Sequence, residues 1–213
     1  MSIPPATRTE RRKAATRKAI VDAAESAIVE LGPNAWTLED VSERADVALQ
    51  TIYNRVGNRS AVLVAVAERA LEENRQYMDA AYSAPGTPVE RIMKAAQAYL
   101  NFARERPNQF RILADPPNEP EALERIADLT DEQNGKLEAA LRDAAAAGLT
   151  NPTVDPALAA KALWAATNGI ISLSWRSDRL RADEDEVAQL ISVMFGLSSV
   201  SGHAPRFGSS SHI

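Results

Sequence analysis

Cysteine is absent from the 213-residue chain, which excludes disulfides, thiolate-held metals and a cysteine nucleophile. Histidine is nearly absent: His203 and His212 both lie in the polar C-terminal segment SGHAPRFGSSSHI. No glycine-rich phosphate loop, serine-nucleophile motif or metal-ligand cluster occurs. The carboxylates Glu121 and Glu124, and the run Asp183 to Asp185, fall on polar stretches that suit solvated faces better than acid–base pairs. Long apolar runs are also missing. There is no stretch of about 18 uncharged apolar residues to span a bilayer, and the N-terminus MSIPPATRTERRKAATRKA has no apolar signal region. The expectation is a cytoplasmic protein that is not an enzyme, holds no metal or cofactor and meets no membrane.

What the chain does have is apolar content of 45%, enough for one large or two small cores. Its net charge of −5 is unevenly spread. Within residues 1–20, Arg8, Arg11, Arg12, Lys13, Arg17 and Lys18 face only Glu10, a local charge of +5, so the remainder carries −10. A basic end on an acidic body suits a protein that meets phosphate at one place.

Apolar spacing predicts helices nearly throughout, an all-α fold. Ile20, Ala23, Ala24, Ala27, Ile28 and Leu31 recur at three- and four-residue steps, and Gly32-Pro33 stops the helix. Thr37 and Asp40 form a capping-box pattern ahead of Leu38, Val41 and Ala45. After Asp46-Val47-Ala48 comes ALQTIYNRVGNR, whose only bulky interior-type residues after Leu49 are Ile52 and Val56. Asn58 is a good N-cap for a long helix through Val62, Leu63, Val66, Ala67, Ala70 and Leu71. Two short helices joined by a tight turn and braced by longer ones make a helix-turn-helix.

SAPGTP, around Pro85, breaks the pattern and places a domain boundary. The expected organisation is a basic flexible arm over 1–13, a helix-turn-helix domain with its linking helix over 14–84, a second helical domain over 85–199, and a disordered tail over 200–213. In the second part, one helix carries Val89 to Ala103 and stops before Pro107, and a short one spans Phe110 to Leu113. EALERIADLTDEQNGKLEAALRDAAAAG is helical with an interruption near Gly135. Asp155-Pro156 starts a helix from Ala157 to Trp175 that is apolar nearly all round and must be covered on several sides. Val187, Leu190, Ile191, Met194 and Phe195 stripe a final helix.

From Thr37 to Leu63 the segment TLEDVSERADVALQTIYNRVGNRSAVL resembles the N-terminal domain of the TetR family of bacterial transcriptional regulators. Thr37, Val41, Ala45, Val47, Thr51, Ile52, Tyr53, Arg59 and Leu63 fall in register, and the strong resemblance covers about residues 14–68. It implies a three-helix DNA-binding domain, a linking helix and a variable helical ligand-binding and dimerisation domain. It also implies site residues. Thr37 caps the second helix and touches a phosphate; Tyr53 reaches the backbone with its hydroxyl. Leu49, Gln50, Thr51 and Asn54 face the major groove, Arg55 stands at a phosphate-contacting position, and Arg59 replaces the usual lysine. Two departures matter: Asp46 stands where the family turn has glycine, and Ala48 where a serine or threonine caps the reader and adds a phosphate contact.

These residue types suit the task. Glutamine pairs with adenine through two hydrogen bonds, threonine meets a thymine methyl, and Arg and Tyr hold the backbone. The expected partners are a double-stranded DNA operator, a second copy of the chain, and a small, largely apolar effector that releases a repressor from DNA. Met93, Tyr99, Phe102, Phe110, Trp164 and Asn168 are candidates for the effector pocket, although aromatics at helical spacing serve equally as core. Ile171, Trp175, Leu190, Ile191, Met194 and Phe195 are candidates for the dimer interface. The alternatives are a protein-interaction module whose helix-turn-helix no longer binds DNA, and a helical enzyme.

Overall fold

Capping chemistry places the helix starts. In the computed structural model, which describes residues 7–32, 34–116 and 118–199, α1 (Arg8–Leu31) opens on a capping box. Thr7 Oγ1 accepts from the Glu10 amide at 3.2 Å, and Glu10 Oε2 accepts from the Thr7 amide at 2.7 Å. Residues 8–13 are therefore helical, which corrects the expected flexible arm for that stretch: the cap supplies the nucleus and Arg, Lys and Ala propagate it well. Residues 1–6 and the tail over 200–213, with His203 and His212, lie outside the described residues.

The second capping box is the expected one. It starts α2 (Leu38–Ala45), with the Thr37 amide 2.8 Å from Asp40 Oδ2. Asp46 ends α2 in the left-handed region at φ 50°, the geometry that Asp tolerates better than most residues. α3 (Leu49–Arg55) begins at Ala48 with no side-chain cap. Asn58 Oδ1 then accepts from the Ala61 amide at 2.9 Å and opens α4 (Arg59–Tyr82).

Then follow α5 (Pro88–Glu105), α6 (Pro107–Ala114), α7 (Pro120–Ala146), α8 (Pro156–Ser172), a 3-10 turn over Leu173–Trp175 and α9 (Glu184–Ser199). All regular structure among the described residues is helical, the expected all-α class. α7 runs unbroken through Gly135, against the expected interruption. One glycine costs a helix only about 1 kcal/mol relative to alanine, and the strong helix formers around it outweigh that. The helix expected to reach Trp175 ends at Ser172 and tightens into the 3-10 turn.

Packing divides the chain into two units. Of the described residues, the first joins those within 1–80 to those within 101–133, and the second joins 81–100 to those from 134 on. A single cut near Pro85 thus meets a chain that returns: Ile112, Ala122 and Ile126 join Ile20, Ala24, Ala27, Trp36, Val41, Ile52, Val62, Leu63 and Val66 in one buried cluster. Their apolar surface has no better refuge, each of the larger aliphatic side chains gaining about 1.5–3 kcal/mol on full burial. Elsewhere in this unit Phe102 packs edge-on against Tyr77, ring centroids 5.5 Å apart, and lies 6.4 Å from Phe110.

Charged groups also tie the first unit together. Arg69 of α4 pairs with Asp22 and Glu25 of α1, and Gln109 of α6 donates to Glu25 at 2.5 Å. Partial burial works against the Asp22 carboxylate, yet hydrogen bonds from Lys18 and Arg69 bring its pKa below the ordinary value. The second unit centres on Ile92, Ala140 and Ala144, with Tyr82, Val89, Leu137, Leu141 and Phe195 packed against them. There α8 and α9 lie against each other, and the Ala182 amide donates to the Leu173 carbonyl at 3.2 Å.

Candidate nucleic-acid interface

One side of α3 is anchored. Ile52 is fully buried, while Leu49 and Val56 are half-buried against the same core. Leu49 therefore turns toward the interior and offers little to a base, a correction that follows from its i−3 relation to Ile52. The opposite side presents Gln50, Tyr53, Asn54 and Arg55 to solvent, with Thr51 half-exposed. Tyr53 is 49% exposed, which leaves its ring edge and hydroxyl open to a partner.

Gln50 Nε2 donates to Asn54 Oδ1 at 3.2 Å, one turn along the helix. That bond holds the Gln50 amide and leaves its second N–H and its carbonyl oxygen, the pair that adenine N7 and N6 require. Ala48, exposed at the start of α3, has no hydroxyl to offer. The Arg55 carbonyl accepts from Arg17 Nη1 of α1 at 3.3 Å, leaving the Arg55 guanidinium exposed.

Thr37 and Arg59 are placed differently from what the sequence suggests. The Thr37 hydroxyl donates to Asp40 Oδ2 at 2.7 Å, and its hydrogen bonds hold the Asp40 carboxyl below the ordinary carboxylate range. Its proton is already committed, so the N-terminal backbone of α2 is the group left for a phosphate. Arg59 lies over the Trp36 ring, 4.5 Å from its centroid, donates to the Trp36 carbonyl at 3.4 Å and pairs with Glu119. Ser60 Oγ donates to the other Glu119 oxygen at 3.2 Å. The cation expected at phosphate is thus neutralised from within the chain, by the residue immediately before α7.

Glu119→Gln should uncover Arg59. Expected are tighter binding to any duplex and a salt dependence steeper by about 0.9 in log–log slope per released arginine, with a stability loss of up to about 1 kcal/mol. Salt titration of wild type, Glu119→Gln and the double variant with Arg59→Ala checks this; identical slopes in all three would show that Arg59 stays off the DNA.

Trp36 and Glu119 were not legible as site residues. A signal for Trp36 existed: it precedes the Thr37 cap and shares the buried cluster with Val41, the position pair of a hydrophobic staple. For Glu119 no local signal exists, since its partner is 60 residues away.

The candidate pocket set separates. Phe102 and Phe110 are fully buried in the first unit, their rings closed against each other and Tyr77, so they are core. Met93 is 40% exposed on α5. The structure brings together Tyr99, Trp164 and Asn168 in the second unit. Tyr99 donates to Asn168 Oδ1 at 2.9 Å. Burial pushes its hydroxyl well above the usual phenol range, and hydrogen bonds with Trp164 and Asn168 only partly oppose that.

The dimer set also needs correction. Ile171 and Ile191 are buried within the chain itself, and Phe195 packs on the cluster of Ile92, Ala140 and Ala144. Trp175, Leu190 and Met194 are half-buried. The uncovered surface of these helices is a different stripe. Leu158, 65% exposed, Ala162, Ala165 and Gly169 line α8, and Val193, 55% exposed, lies on α9. Among the described residues no group of acidic or histidine side chains is placed to hold a metal ion, and no helix is long and apolar enough to cross a membrane.

The model of the tetracyclin repressor-like C-terminal domain matches residues 92–198, half of the chain. No curated protein matches in sequence. Solved structures share the fold at low identity. The fatty acid degradation regulator FadR from Bacillus halodurans has a TM-score of 0.74 at 16% identity, over 89% of this chain and 97% of its own. A TetR-family transcriptional regulator from Agrobacterium tumefaciens has a TM-score of 0.71 at 13% identity, over 88% and 100%. AibR, solved with isovaleryl coenzyme A and operator DNA, has a TM-score of 0.67 at 16% identity, over 86% and 98%. With half of the chain matched by the family's C-terminal model and a helix-turn-helix at its N-terminal end, the chain belongs to the TetR family of transcriptional regulators.

Proposed function

We propose that the protein is a ligand-responsive repressor that binds a pseudo-palindromic DNA operator in the cytoplasm as a homodimer. The observation that carries this is α3: a helix anchored by buried Ile52 that holds Gln50, Tyr53, Asn54 and Arg55 outward with no cover. A reading helix needs that division between a fixed apolar side and a free polar one. Two copies would read half-sites about 34–36 Å apart, or a small multiple of that.

Selection from random-sequence duplexes tests the reading. Wild type should enrich an inverted repeat, while Gln50→Ala should lose preference at one base per half-site, at a cost of about 1–3 kcal/mol. Recovery of no preferred sequence by wild type would favour the interaction-module alternative.

The proposed effector is a small, largely apolar molecule bound in the second unit, oriented by Tyr99 and Asn168 beside Trp164. AibR was solved with an acyl coenzyme A and FadR is named for fatty acid degradation, so acyl compounds are the first to screen. To reverse a 99:1 preference for the DNA-binding state, the effector must favour the other state by about 5.5 kcal/mol.

A further inference from the structure

Between α2 and α3 stand only Asp46, Val47 and Ala48, so the direction of α3 is set within that short turn. The Val47 amide donates to the Ser42 carbonyl at 3.2 Å and the Asp46 amide to the Glu43 carbonyl at 3.3 Å, the paired bonds of a Schellman ending with Asp46 left-handed. Ser42 then makes a second bond to the same residue: its Oγ donates to the Val47 carbonyl at 2.6 Å. A serine inside a helix can return its hydroxyl to the carbonyl four residues back. This one reaches forward instead, across the turn.

Ser42 thus holds both peptide groups that flank the Val47 Cα. One fixes how the chain leaves α2; the other fixes how it enters α3. Among the described residues no other side chain bonds across this turn. The neighbours contribute little: Ala48 starts α3 without a side-chain cap, and Asp46 keeps a left-handed conformation that a side chain disfavours. Ser42 is half-buried, and Val47 packs half-buried against the core, so water competes weakly for the bond.

We infer that Ser42 is the positioning residue of the reading helix, fixing the direction in which α3 leaves the turn and with it the base preference of Gln50 and Asn54. This rests on the operator-binding reading and deepens it. Buried Ile52, with half-buried Leu49 and Val56, sets how deep α3 sits, and the Ser42 bond sets its tilt. Over a helix about 10 Å long, a tilt of about 10° moves the far end by about 2 Å. Hydrogen bonds tolerate only about 0.5 Å in length and weaken steeply off line. Contacts to phosphate carry no sequence information, and the long arginine side chains that make them can follow a small shift. Loosening the turn therefore costs discrimination before it costs general affinity.

The test measures affinity of the full chain for the selected operator and for a scrambled duplex in four proteins: wild type, Ser42→Ala, Ser42→Thr, and Ser42→Ala combined with Ala48→Ser. Alanine is the better helix former at residue 42, so Ser42→Ala should fold, which circular dichroism checks. Its operator affinity should fall about fivefold, the net weight of one hydrogen bond, with the scrambled-duplex affinity and the salt slope unchanged. Ser42→Thr keeps a hydroxyl within reach and should keep the ratio of the two affinities. Ala48→Ser supplies α3 with the missing cap and should restore most of that ratio to Ser42→Ala. A lower melting midpoint with an unchanged ratio would make Ser42 a stabilising residue only and overturn the inference while the operator reading stands. Equal losses on both duplexes, or a Ser42→Thr variant as indiscriminate as the alanine one, would overturn it too. A folded wild type that does not distinguish the two duplexes would overturn the operator reading and this inference with it.

Discussion

Replacing Ala165 with glutamate is expected to convert the proposed homodimer to monomers and to lower operator affinity by a factor of about 10²–10⁴, the gain that linking two half-site contacts provides. Ala165 lies midway along the exposed stripe of α8 between Ala162 and Gly169, with Leu158 nearer the start of the helix. Within one chain the substitution is harmless: glutamate forms helix well and the position faces solvent. In a two-fold bundle of α8 and α9, small residues let the helices approach closely, and a carboxylate there would be buried without a partner. The open space around Gly169, where an added methyl would meet nothing within 4 Å, fits a face kept small for a second copy. Sedimentation and gel shift, run together, decide this. A variant that stays dimeric, or a monomer that binds the full operator as tightly as wild type, defeats the interface.

Trp36→Ala should remove about 3–5 kcal/mol of stability, the cost of truncating a fully buried aromatic. In a chain of this size each kilocalorie shifts the melting midpoint by about 2–4 °C, so the fall should exceed about 6 °C. Trp36 is 1% exposed, sits immediately before the cap of α2 and carries Arg59 of α4 above its ring. Its loss therefore loosens the entries of two of the helices that frame the reader. Trp36→Phe should retain most of the stability but weaken the contact with Arg59, since indole is the best aromatic partner for a cation. Urea denaturation of the three proteins checks the order. A cost below about 1 kcal/mol for alanine would mean that the site collapses around the gap and that Trp36 is no anchor.

Legibility varied with the range of the interactions involved. The starts of α2 and α4 were readable because Thr37 with Asp40, and Asn58, satisfy backbone groups within three residues. The stop at Gly32 and the left-handed Asp46 were readable for the same reason. The start of α1 is not legible in the sequence: Thr7 and Glu10 form the same box, but no apolar periodicity follows until Ile20, and a run of basic residues reads equally as a loose arm. In the second part, periodicity located α5 to α9 but could not say which neighbour each face meets. Phe102 and Tyr99 are three residues apart on one helix, yet Phe102 closes a core with Phe110 while Tyr99 bonds Asn168, 69 residues away.

The helical class, the helix-turn-helix, the anchoring role of Ile52 and the polar side of α3 are legible in the order of residues, because all of these follow from spacing and capping within a few residues. Features that depend on partners distant in sequence come from the packed fold. It set Glu119 on Arg59, brought residues 101–133 back to the N-terminal unit, buried Ile171 and Ile191 inside the chain, and left the small residues of α8 uncovered. Periodicity states how much of a helix must be hidden; which surface hides it is settled when the helices compete for the same core.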